Sequence, residues 1–107
     1  MQQEQTALNM VRADLCQQID LLLRATGQLQ PTHLFNEIEE IRVISARYGL
    51  EPLRRLARGL EKQLAEGHQK SVFEPWLHMM REAASCHRID EQAAETFIAA
   101  TSLRLNN

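Results

Sequence analysis

Apolar residues recur along this chain at intervals of three and four, the spacing of an amphipathic helix. Leu8, Val11, Leu15, Ile19 and Leu22 make the first stripe, widened by Cys16 and Leu23. They predict a helix over 6–26, with Thr6 as N-cap and Gly27 as a left-handed C-terminal stop. A second helix starts near "PTHLF", turns Leu34, Phe35, Ile38, Ile41, Ser45 and Tyr48 inward, and closes at Gly49. The third opens on Glu51 and Pro52, where the missing proline N–H costs nothing. Its inner face is Leu53, Leu56, Ala57, Leu60 and Leu64. Its outer face is Arg54, Arg55, Arg58 and Lys62, and Gly67 ends it. Gly59 falls inside this helix at a cost of about 1 kcal/mol relative to alanine, which close approach by a neighbouring helix would justify. In the fourth, Ser71 and Glu74 have capping-box spacing, followed by Phe73, Trp76, Met80, Ala83 and Ala84 at helical intervals. A fifth is expected over 90–105, with Asp90 as N-cap and Ala93, Ala94, Phe97, Ile98, Thr101 and Leu105 as its stripe.

No segment alternates over six residues, and Leu, Ala, Arg, Glu and Gln, all good helix formers, dominate. The reading is all-α. Short links force neighbouring helices to run antiparallel, so the expected architecture is an up-and-down helical bundle: a four-helix core plus an extra C-terminal helix. With 107 residues the chain is one domain, 1–107, with one modest core.

Composition narrows the function classes. The net charge of −2 offers no overall basic excess, so nucleic acid is not an expected partner. No apolar run approaches the roughly 20 residues of a membrane span. The polar start "MQQEQTALNM" does not read as a signal sequence, which points to the cytoplasm. Cys16 and Cys86, the two cysteines, lie far apart in no metal or redox spacing and read as reduced, half-buried helix residues, with a disulfide between them as the lesser alternative.

Chemistry is scarce. His33, His68, His78 and His87 include no i, i+3 or i, i+4 pair, so no metal and no other cofactor is implied. No serine has the context of a nucleophile elbow, and no glycine-rich phosphate loop occurs. Glu39 and Glu40 read as a solvated face, and Trp76, Met79 and Met80 as core. Nothing here supports an enzyme. More distinctive is a cluster of arginines: Arg55, Arg58 and Lys62 step by three and four along the third helix, and Arg42 and Arg47 lie near the end of the second. Such a patch either meets an acidic partner or is a solvated face paired to Glu51, Glu61 and Glu66.

The corner "YGLEPLRRLARGLEKQLAEG" gives the cluster a context. It resembles the second half of the characteristic segment of histidine phosphotransfer domains, the small helical bundles of bacterial phosphorelays. That segment is an H-x-x-K-G helix, a glycine corner and a helix of the form L-x-x-L-A-x-x-L-E. Gly49 matches the corner; Leu53, Leu56, Ala57, Leu60 and Glu61 match the following helix. The resemblance spans roughly residues 6–87. It puts Glu39 at the position of the phosphorylated histidine, Arg42 at the lysine and Val43 at the glycine. An ionised glutamate only accepts hydrogen bonds and cannot carry the phosphoryl group as imidazole does. The resemblance therefore implies a degenerate module that binds a response-regulator receiver domain or a histidine kinase without carrying phosphate. The docking residues it implies are Arg42, Val43, Ala46 and Arg47, with Arg55 and Arg58.

Other readings stand beside this one. His33, six residues before Glu39, is an alternative phosphoacceptor without the lysine–glycine context. The chain could also be a generic helical adaptor or a homodimer with no phosphorelay link. A DNA-binding helix-turn-helix is suggested by "ISARYGLEPLRRLARGL", against which stand a small-residue spacing one position off and the net acidity.

Overall fold

The structure, a computed structural model, describes residues 2–25, 27–67, 73–85 and 98–99, with side chains from residue 6 onward. The described residues form four α-helices and no strand: α1 (Gln2–Ala25), α2 (Pro31–Arg47), α3 (Glu51–Ala65) and α4 (Phe73–Ser85). None is long and apolar enough to cross a membrane. The fifth helix expected over 90–105 lies outside the described residues, apart from Ile98 and Ala99, which are helical. Ser71, the expected cap of α4, lies outside them too.

The four helices share one core. Leu15, Ile19 and Leu22 of α1 enter it, as do Leu34, Ile38 and Ile41 of α2 and the expected stripe of α3. From α4 come Phe73, Trp76, Met80, Ala83 and Ala84, joined by Leu77 and Met79. Helix α3 packs on both α2 and α4, and α1 packs on α4. The Gln18 amide donates to Glu37 at 3.1 Å, tying α1 to α2.

The α2–α3 corner is built by backbone hydrogen bonds. Gly49 N–H reaches the Ala46 carbonyl at 3.3 Å, and Leu50 N–H reaches the Ser45 carbonyl at 2.8 Å. This is the Schellman arrangement, which needs a left-handed residue at the glycine position; Gly49 has φ +70°. Leu50 then drops into the core, only 4% exposed. Tyr48, expected to face inward, is 42% exposed instead. It sits past the last helical residue, where the stripe no longer sets its direction, and Leu50 fills the space below. Ser45 is fully buried, and its hydroxyl donates to the Ile41 carbonyl at 2.7 Å.

Three other local expectations meet different outcomes. Gly67 has φ +76° and closes α3, as its position suggested. Gly27 does not adopt a positive φ. The end of α1 is closed by Gln28 and Leu29, whose N–H groups both reach the Ala25 carbonyl at 2.9 and 3.0 Å. Nor does α1 begin at Thr6: it starts at Gln2, because the residues ahead of Thr6 are mostly good helix formers and nothing stops the helix there.

Gly59 has its justification in α4. A Cβ at this position would stand 2.5 Å from Cζ3 and 2.6 Å from Cη2 of Trp76. The indole lies flush on the α3 backbone, and Trp76 is buried.

The glycines should separate on substitution. Gly59→Ala gains about 1 kcal/mol of helix propensity but must displace a buried indole, an overpacking cost of about 1–3 kcal/mol; a net loss is expected. Gly49→Ala should lose about 1–2 kcal/mol through its left-handed backbone. Gly27→Ala, with open space around it, should be neutral or slightly stabilising. Urea midpoints at constant m-value would read all three.

Candidate functional site

The residues singled out by the sequence fall into two groups. The first lies on α2. Glu39 is half exposed in the middle of the helix. Val43 is 43% exposed, and Ala46 and Arg47 are exposed beyond it. Spacings of four, three and one place all four on the same outer arc. They face solvent because Leu34, Ile38, Ile41 and Ser45 fill the opposite side.

Arg42 lies at the edge of this arc toward α3. Its Nε donates to Glu61 Oε1 at 2.6 Å, and Glu61 is only 13% exposed. Its contact with Glu39 is looser, 3.9 Å from Nη2 to Oε1. Arg42 is thus first of all a strut between α2 and α3. The charge-assisted bond to a mostly covered carboxylate is the stronger of the two contacts.

The second group lies on α3. Arg54 is held by Glu51 through a two-pronged contact: Nε donates to Oε2 at 2.9 Å, and Nη2 donates to Oε1. That hydrogen bond holds the Glu51 carboxyl below its ordinary pKa and raises that of Arg54. Arg55, Arg58 and Lys62 make no ion pair among the described residues. They line a groove of about 480 Å³ with Arg54, Gly59 and Ile98. Of the two readings open for the arginine cluster, local pairing holds for Arg42 and Arg54; among the described residues Arg47, Arg55, Arg58 and Lys62 make no ion pair.

The histidines do not converge. His33 is exposed and lies 3.8 Å from Glu37, and His78 lies 3.7 Å from Glu74. His68, His87 and Cys86 lie outside the described residues. Among the described residues no three His, Cys, Asp or Glu side chains gather as metal ligands would. Trp76, Met79 and Met80 are core.

One cluster escaped the sequence reading. Arg81 of α4 reaches α1, donating from Nε to Asp20 Oδ1 at 2.9 Å and from Nη1 to Cys16 Sγ at 3.2 Å. Burial pushes the Cys16 thiol above its ordinary pKa, and Arg81 partly offsets this. A thiol in that state is a poor nucleophile at neutral pH. These residues line a groove of about 470 Å³ between α1 and α4. No local pattern could have revealed a pairing between residues 61 positions apart.

Comparison with protein-family models, with curated proteins and with solved structures found no match for this chain.

This geometry makes two measurable claims. Arg42→Ala should cost about 1 kcal/mol of stability, since it strands Glu61. A double-mutant cycle with Glu61→Gln should show coupling between the two, and a cycle with Glu39→Gln much less. The Glu51–Arg54 contact should be acid-sensitive. Because the folded pKa of Glu51 is depressed, its contribution is complete above the unfolded pKa and disappears as pH falls through the folded one. Glu51→Gln should therefore be less stable than the parent at neutral pH, and the difference should close in acid, as read by urea titrations across pH.

Proposed function

We propose that this chain is a non-catalytic two-component signalling module with a histidine-phosphotransfer-like core, an antiparallel bundle that binds a receiver domain or a histidine kinase without carrying phosphate. The observation that supports this reading best is the setting of Glu39. It stands half exposed midway along α2, with Arg42 beside it and Val43 and Ala46 exposed on the same arc. That is where a phosphoacceptor helix would present its histidine to a partner. The glycine corner and the buried leucine stripe of α3 fit the same pattern.

On this reading docking rests on Val43, Ala46 and Arg47. Val43 supplies apolar area at the centre. Arg47, exposed one turn beyond, offers a cation to the acidic pocket of a receiver. Arg42 takes part only at its edge, because Glu61 holds it. Arg58 borders the face on α3. Glu39 replaces the phosphoacceptor and leaves the module able to occupy a receiver but not to relay through it. Such a module acts in the cytoplasm, where receivers and kinase catalytic domains work.

A generic helical adaptor is the second reading. The observation in its favour is the Arg42–Glu61 strut, which gives the corner a purely structural role.

Binding to purified receiver domains by calorimetry distinguishes the two. A receiver partner should bind the parent protein, and Val43→Asp or Arg47→Glu should weaken it by about tenfold, or about 1.4 kcal/mol, without altering stability. Absence of binding to every receiver and kinase of the source genome would leave the adaptor. Incubation with a phosphorylated receiver should place no acid-labile label on the protein; a label on His33 would refute the loss of transfer chemistry.

A further inference from the structure

The cationic groove on α3 goes beyond that reading and does not depend on it. Arg55, Arg58 and Lys62 occupy consecutive turns of one strip. None of the three makes an ion pair among the described residues; Glu51 attracts Arg55 from one turn away but is bonded to Arg54. Glu51 is taken by Arg54, and Glu61 by Arg42. Like charges three and four residues apart repel each other on a helix. Arg54 and Arg55, in the first two turns, also stand near the positive end of the helix dipole, which disfavours cations.

The groove has an apolar lining as well. Gly59 contributes no side chain, and the Trp76 ring lies directly against it. Ile98, packed against the core, closes another side. A ligand that fits therefore brings negative groups to Arg55, Arg58 and Lys62 and an apolar side chain between them.

We infer that this groove binds an acidic, apolar-centred segment of a partner protein: a short stretch with carboxylates spaced to meet Arg55, Arg58 and Lys62 and a leucine-like residue entering toward Gly59 and Ile98. A nucleic acid fits less well. The chain as a whole carries −2, which disfavours a long polyanion running on past the groove. A peptide can place its charges only where they are matched.

The single tryptophan makes the test direct, because Trp76 lies behind the groove floor. The probe is a fluorescein-labelled synthetic peptide of glutamates around a central leucine. It should bind with rising anisotropy, and its unlabelled form should shift Trp76 emission. Affinity should fall as salt is raised. Arg55→Gln with Lys62→Glu should reduce it at least about tenfold, while Val43→Asp leaves it unchanged. Both substituted side chains lie outside the core, and an unchanged helical circular-dichroism signal confirms that the variant is folded. The inference is overturned if the peptide does not bind, if the double variant binds equally well, or if duplex DNA or inorganic phosphate displaces the labelled peptide as effectively as its unlabelled form.

Discussion

The contact between Gly59 and Trp76 sets the terms for the rest of this structure. The large buried indole of α4 rests on bare backbone of α3, where any side chain would collide with it. Close approach there brings α4 against α3, while α2 packs against α3 as well. The inner side of α3 is then full: Pro52, Leu53, Leu56, Ala57, Leu60 and Leu64 are all buried. The charged residues between them have nowhere to go but the outer arc. The charged residues of α3 are confined to the sides that its packing leaves open. The same glycine that admits the tryptophan opens the floor of the groove beneath Arg55 and Lys62.

The part of the fold that was legible in the sequence divides along physical lines. Stripes of leucine and isoleucine report burial directly, so most of the inner faces of α1, α2 and α3 could be read from them, but not the exposure of Tyr48 or the burial of Arg12. Gly59, a poor helix former in a helix centre, announced a close neighbour but could not say which. Gly49 and Gly27 looked alike as helix stops, yet only Gly49 takes the left-handed conformation. The difference lies in the residues after each glycine. Leu50 is drawn into the core and pulls the chain sharply round at Gly49, whereas after Gly27 the chain closes with ordinary turns back to Ala25. On α4 the expected stripe was too narrow, because Leu77 and Met79 are also buried. A short helix lying against both α1 and α3 buries more than one stripe.

The candidate site was less legible than the fold. Its residues were findable because arginines at helical spacing and a glutamate at the head of the corner are visible as letters. Their pairing was not. Which carboxylate neutralises which guanidinium depends on side-chain reach across helices. Glu61 captures Arg42 from 19 positions away, and Arg81 finds Asp20 from 61. The arginine cluster therefore looked like a single patch. Among the described residues, pairing divides it into members with an ion pair, Arg42 and Arg54, and members without one, Arg47, Arg55, Arg58 and Lys62.

That division also decides what a partner could gain at the corner. A group that bound Arg42 would first have to displace Glu61, a mostly covered carboxylate at 2.6 Å, and would leave it uncompensated. The cost of stranding such a carboxylate is comparable to what a new exposed ion pair returns. Arg42 therefore contributes geometry to the α2 face and little binding energy. Energy must come from groups with no prior commitment. On α2 these are the exposed Val43 and Arg47, which favour a partial apolar contact there. On α3, among the described residues, they are Arg55, Arg58 and Lys62, which make no ion pair and favour a charged one. Two faces with such different chemistry need not serve the same partner, and the helices that carry them, α2 and α3, are joined by their shared core as well as by the Arg42–Glu61 contact.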